Sequence, residues 1–222
     1  MRRTTTATHS RKARAATLAA GLGLLITMVT VPATAAGAST IAPETKKHCT
    51  PQISASVDTE LTEKFGEYGD TAGRWTGADS AYSVKLPGGK IAWIYSDTFL
   101  GTVNADHSRP FDSPFIHNSI IVDDHGTLTT YTGGTADAPE SLVSVEGGVA
   151  GQNWYWFGDA TVEGKHLRVM LIEFEKTGPG NFDFAFVDTA IASFSLKDMS
   201  FEGITALPES DVQWASAIYE DG

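Results

Sequence analysis

An internal disulfide is excluded at the outset, because the 222-residue chain carries a single cysteine, Cys49, and a bridge needs two. A fold exported to an oxidising compartment would be held by its apolar core instead. Basic residues are scarce too: 16 Lys and Arg stand against 27 Asp and Glu, for a formal net charge of −11. A surface of that sign repels phosphate, which argues against nucleic acid and anionic membranes as partners and leaves neutral polymers such as polysaccharides open. After the first thirty-odd residues no segment is apolar enough to cross a bilayer as a helix. Also missing are a P-loop, a dinucleotide fingerprint, H-E-x-x-H, a paired-cysteine zinc pattern and G-x-S-x-G. The six histidines are scattered, and the reading calls for no cofactor and no metal.

What is present begins with a leader. Arg2, Arg3, Arg11, Lys12 and Arg14 precede an apolar run from about Ala15 to Val31, and Ala33-Thr34-Ala35 supplies an A-x-A-like site. That order predicts a signal peptide over 1–35 and a secreted, extracellular protein; a membrane anchor is the competing reading, against which the run is short and interrupted by glycine. Loss of those five basic and no acidic residues would take the net charge from −11 to −16. Residues 36–56 are small and polar and read as a linker or disordered arm. The folded part, 57–222, starts with TELTEKFGEYG, which reads either as a short helix or as an irregular entry strand.

From Trp75 onward the pattern is almost wholly β, with short Val, Ile, Tyr, Phe and Trp runs bounded by Gly, Asp and Pro. Turn signals at Pro87-Gly88-Gly89, Asp123 to Gly126, Val162-Glu163-Gly164 and Lys197-Asp198-Met199 divide it into two sets of four strands: 79–86, 90–99, 115–122 and 127–132, then 153–161, 165–175, 184–196 and 201–207. A ninth strand is expected at 213–220. Repeated four-stranded meanders point to an all-β fold of the β-propeller kind, five-bladed when complete, with two blades and the first strand of a third present here. An antiparallel sandwich is the competing arrangement. Two blades cannot close a ring, so the reading expects the N-terminal part of a longer protein that is a monomer when full length, and expects this stretch by itself to be inactive.

The hairpin GADSAYSVKLPGGKIAWIYSDTF, residues 77–99, holds an aspartate at each open end. In an antiparallel hairpin, residues whose numbers sum to twice the turn's centre lie opposite each other. With the centre near Gly88, Asp79 and Asp97 face each other or miss by one. Opposed like charges destabilise a sheet, so stability gives no reason for the pair. Two close carboxylates with divergent pKa values are, however, what glycoside hydrolysis uses. The structural alternative is two strand-end aspartates bonding nearby N–H groups.

Counting about nine residues back from the later turns lands on Asn153-Trp154 and Gln213-Trp214. Trp154 and Trp214 would then share a channel rim with Asp79, and Trp75 stands just before it. Tryptophan faces offer sugars a surface to stack on, although a tryptophan in a strand is more often core. Glu173 falls at the matching rim position, opposite Trp154, whereas Asp159 is placed beside the far turn and set aside. The connection of about fourteen residues between the second and third strands exceeds an ordinary hairpin loop. It carries Asp106, His107, Arg109 and Asp112, and His117 and Asn118 follow as further substrate-binding candidates.

The stretch GRWTGADSAYSVKLPGGKIAWIYSDTFLG followed by PFIHNSIIVDD resembles secreted actinobacterial propeller proteins catalogued as domains of unknown function, some relatives of which are endo-D-arabinanases. More distantly it is similar to five-bladed propeller glycosidases of the arabinanase and levansucrase type. The resemblance implies a catalytic pair of Asp79, at the start of the first inner strand, and Asp97, in an element W-x-[FY]-[GS]-D-T that Trp93 to Thr98 match. Ser96 stands where glycine is commoner. It implies a glycoside hydrolase-like protein acting on polysaccharide, arabinan or another furanosidic glycan; a non-catalytic carbohydrate-binding or surface-adhesion propeller is the alternative.

Overall fold

The computed structural model describes residues 53–69 and 74–219. The expected leader, Cys49 and most of the expected arm lie outside them. The chain divides into two units, Met1–Ile53 and Ser54–Gly222, and the fold described is that of the second.

Helix α1 (Thr59–Gly69) resolves the open choice between helix and strand. Asp58 caps it: the Leu61 N–H donates to Asp58 Oδ1 at 3.0 Å and the Thr62 N–H to Asp58 O at 3.1 Å, which satisfies donors that the first turn leaves orphaned. Phe65 meets Trp75 and Trp93 edge-on, at 5.5 and 5.3 Å between centroids. Lys64 reaches the buried Asp123 at 2.8 Å.

Seven strands follow: β1 (Arg74–Ala78), β2 (Tyr82–Lys85), β3 (Ile91–Tyr95), β4 (Thr98–Gly101), β5 (Phe115–Ile116), β6 (Ser119–Asp124) and β7 (Thr127–Tyr131). They form two antiparallel sheets, β1-β4-β5 and β2-β3-β6-β7. The two sheets are one ribbon broken at a single level. Ala78↔Thr98 and Tyr82↔Ile94 keep the same register, and so do Thr98↔Ile116 and Tyr95↔Ser119. Each of the three strands is therefore continuous in count and interrupted only at 79–81, 96–97 and 117–118. Ser80 marks the break with a φ of 54°, a left-handed conformation that non-glycine residues adopt rarely.

A short pair, β8 (Gly133–Gly134) with β9 (Pro139–Glu140), leads to a second meander of long strands: β10 (Asn153–Glu163), β11 (His166–Lys176), β12 (Phe184–Ser195) and β13 (Phe201–Ala206), hydrogen-bonded in that order. Ala92, Ile94, Ile120 and Val122 of the first meander pack against Phe157, Leu167, Val169, Leu171, Ala192 and Phe194 of the second. Full burial of a side chain of this size stabilises by about 1.5–3 kcal/mol. Alternation sends Trp154, Ile172 and Phe174 into a smaller cluster that also holds Ala215. Among the described residues the fold is thus mostly β, with four antiparallel sheets and one helix, and no helix is long and apolar enough to cross a membrane.

The expected ninth strand does not form: residues 207–219 carry no strand. A strand needs a ladder, and this segment is held instead by separate bonds, one of them from the Trp214 N–H to Thr189 Oγ1 at 3.4 Å. The Asp159 N–H donates to Ala215 O at 2.9 Å, and the Ile218 N–H donates to Asp159 Oδ2 at 2.7 Å. Asp159 therefore sits in mid-strand, at a register shift between Phe157 and Ala160, and not beside the far turn. Gly158 permits this seat, since a Cβ there would meet Ala215 O at 2.3 Å. Gly158→Ala is expected to dislodge residues 211–219 while leaving the β10–β11 ladder intact, read as faster amide exchange at Ile218 without faster exchange at Val169; equal exchange at both would count against this seating.

Candidate active site

Chemistry collects at the level where the ribbon breaks. The Asp79 N–H donates to Asp97 O at 3.1 Å and the Ser96 N–H to Asp79 O at 3.2 Å, so the two aspartates lie opposite each other, as the hairpin count predicts. His117 lies opposite Asp97 on the next strand by the register shared by β4–β5 and β3–β6. One row across three strands is therefore Asp79, Asp97, His117.

Asp97 is held by two donors. His117 Nδ1 is 2.8 Å from Asp97 Oδ1, and facing a carboxylate this nitrogen is the one that carries hydrogen. The Trp156 indole N–H donates to the same oxygen at 2.7 Å. Both land on Oδ1, which leaves Oδ2 without a protein donor among the described residues. The flanking residues explain why the aspartate cannot turn away. Ser96 and Thr98 are 1% and 0% exposed; the Ser96 hydroxyl donates to Phe157 O at 2.9 Å and the Thr98 hydroxyl to Ser96 O at 2.7 Å. Ser96 thus ties the first meander to the second. Ser96→Ala is expected to cost about 1–3 kcal/mol through the lost buried bond, read as a lower denaturant midpoint at unchanged slope; an unshifted midpoint would mean that Phe157 O has another donor.

Asp79 is exposed, yet its pKa lies above the usual carboxylate range, first because the surrounding protein displaces water from it and second because of the charge on Asp97. Two acids in one row are thereby made unlike: one holds its proton to higher pH than an ordinary carboxyl, and the other accepts two hydrogen bonds.

The remaining candidates separate. Trp154 does not present a face to a ligand; it is 5% exposed, stacked on His117 at 4.9 Å and 19°, with Phe174 on its other side at 6.1 Å. It fixes the imidazole that holds Asp97. Asn118 is not at the surface either: it is fully buried, donating through Nδ2 to Val143 O at 2.9 Å and Tyr155 O at 2.8 Å and accepting from the Val143 N–H at 2.8 Å. Trp75 is packed between Phe65 and Tyr95. Trp214 is exposed, its indole N–H on Ser210 Oγ at 3.1 Å, and does not join the row.

Glu173 pairs with Tyr155 and not with Trp154, because the register is one residue away from the turn count. Burial raises its pKa, the Tyr155 hydroxyl lowers it in part, and the charges of Asp188 and Glu175 raise it further; burial and the Glu173 charge push Tyr155 up to about 12. It belongs to a separate Tyr155–Glu173–Asp188 row. Asp106 accepts from the Ser108 N–H and hydroxyl and shapes its own loop.

Three aromatic residues escaped the sequence reading. Trp156 is two residues nearer the turn than Trp154 and so on the same face. Phe99 and Phe115 stand two residues from Asp97 and His117, paired with each other, 5.0 Å apart and 36% and 46% exposed. A cavity of about 480 Å³ adjoins Phe115, bounded also by His117, Trp154, Ser141, Val145 and Gly148.

A family model described as a domain of unknown function (DUF5005) matches residues 62–222. No curated protein matches. Among solved structures, a Bacteroides ovatus ATCC 8483 protein described as a putative hydrolase is similar, with a TM-score of 0.55 and 20% identity, over 68% of this chain and 49% of its own. The chain thus spans about half the length of that protein, and a likeness at this identity concerns the fold.

Proposed function

We propose, from the premise that this chain belongs to the family of the domain of unknown function DUF5005, that it is a secreted glycoside hydrolase acting on polysaccharide through Asp79 and Asp97. The observation that carries the reading is the row Asp79–Asp97–His117, in which opposed carboxylates are given different environments. Asp79 is the general acid: its proton passes to the glycosidic oxygen as the bond to the anomeric carbon breaks. Asp97 Oδ2 either attacks that carbon or takes a proton from the attacking water, while His117 and Trp156 hold Oδ1. The two face-to-face meanders support a propeller whose channel mouth carries this row, and arabinan or another furanosidic glycan is the substrate class implied by the resemblance of the hairpin.

The test is release of reducing ends from arabinan and other plant and cell-wall glycans by the full-length secreted protein. Cleavage that depends on both aspartates is expected. Binding without cleavage on every glycan would replace this reading with a carbohydrate-binding module.

A further inference from the structure

Beside the carboxylate row lies a second, parallel row, one pair further along the strands: Gly77 opposite Phe99, and Phe99 opposite Phe115. Residues two apart along a chain of this extension lie about 7 Å apart, so this row runs alongside Asp79, Asp97 and His117. Phe115 also touches His117 edge-on at 5.3 Å, which joins the two rows. Over Phe99 stands Arg109, its guanidinium carbon 4.7 Å from the ring centroid.

Arg109 comes from the long loop and is placed by the backbone. Its Nε–H donates to Thr76 Oγ1 at 3.0 Å and Nη2 donates to Thr76 O at 3.3 Å. It fills the space that a side chain at position 77 would take, since a Cβ there would lie 2.2 Å from Nη2. Among the described residues no carboxylate lies within ion-pair distance of it. In a chain of net charge −11, a guanidinium oriented by neutral groups and a ring, and not by an acid, retains donors for something else.

Two exposed phenylalanines and an ordered donor beside a carboxylate pair make a surface on which one face of a sugar ring, rich in C–H, can lie while its hydroxyls meet the guanidinium. The floor spans two strand spacings, about 10 Å from Gly77 to Phe115, enough for one ring and the start of the next. Anionic sugars fit less well, because Phe115 touches His117, which is bonded to the Asp97 carboxylate. We propose that Phe99, Phe115 and Arg109 form a subsite that holds a neutral sugar ring of the substrate next to the cleaved bond, with Arg109 setting which hydroxyl pattern is accepted. This rests on the hydrolase reading for its place in catalysis, but not for its binding.

The experiment uses the full-length protein and three probes: arabinohexaose, xylohexaose and cellohexaose. Binding is measured in an Asp97→Asn background, so that no probe is consumed. At least one probe is expected to bind, with Phe115→Ala and Arg109→Gln each weakening it tenfold or more, Phe115→Trp restoring it, and the melting temperature unmoved because these side chains are exposed. Gly77→Ala, which displaces Arg109 without altering it, should reproduce the Arg109→Gln loss. On any cleaved glycan, Phe115→Ala should raise KM tenfold while kcat changes less than threefold. Unchanged affinity in Phe115→Ala and Arg109→Gln, loss of kcat without change in KM, or no binding of any probe at millimolar concentration would overturn the subsite. Phe115-dependent binding without cleavage by the wild type would sink the hydrolase reading and leave the subsite standing; cleavage with KM unmoved in Phe115→Ala would do the reverse.

Discussion

Asp97→Asn in the full-length protein should lower glycan cleavage by at least two to three orders of magnitude and leave the melt intact. An amide keeps the shape and still accepts from Trp156 through its carbonyl, but it neither attacks an anomeric carbon nor takes up a proton at neutral pH. Acid–base participation alone contributes about 10²–10⁴-fold. Asp79→Asn should lose activity on the same scale. Because the pKa of Asp79 is raised in the fold by burial and then by Asp97, its protonated form is the one folding favours. Its linked contribution to stability is complete below the unfolded-state pKa and fades as pH rises through the folded-state pKa. Asp79→Asn should therefore be neutral or stabilising at pH 7 and bring no gain at pH 3. In Asp97→Asn the Asp79 carboxyl, followed by carbon-detected NMR, should titrate lower than in the wild type. An unmoved titration would show the two acids uncoupled, and full activity in either variant would remove the pair from the mechanism.

Asn118→Ala should be the most damaging single change to the fold. The side chain is fully buried, and its removal orphans the Val143 N–H, the Val143 carbonyl and the Tyr155 carbonyl together. At about 1–2 kcal/mol for each orphaned group, the loss is about 3–6 kcal/mol, and at about 2–4 °C per kcal/mol for a domain of this size the melting temperature should fall by roughly 10 °C or more. Differential scanning fluorimetry reads this directly. A drop of only a few degrees, with a raised KM on any glycan, would return Asn118 to the ligand-binding role that its neighbour His117 suggests. The distinction matters because both residues occupy the same strand break, yet one points to the carboxylate row and the other to the meander interface.

That alternation shows where sequence reading succeeds and where it stops. The Asp79–Asp97 pairing was legible because a hairpin's register follows from its turn, and no bulge intervenes between Ala78 and Thr98 and the Pro87–Gly89 turn. The same ruler failed by one residue in the second meander, because the hairpin closes on Glu163 opposite His166, later than Val162-Glu163-Gly164 implies, and the extra residue between Phe157 and Ala160 makes up only part of the difference. A slip of one exchanges faces, which is why Glu173 stands opposite Tyr155 and not opposite Trp154. The helix was open in sequence only because TELTEKFGEYG was read without Asp58, the capping residue just ahead of it.

By itself, the order of residues determined the two four-stranded meanders, their turns and the opposition of Asp79 to Asp97, since these depend on contacts between chain neighbours across a short turn. Tertiary structure alone decided which side chains surround that pair. Trp156 reaches Asp97 across 59 positions of sequence, Arg109 reaches Thr76 across 33, and Trp154 comes to rest against His117 from another sheet. Such contacts are set by how two sheets pack and how a long loop folds back. No local period records either, because the energy that selects them belongs to the packed whole.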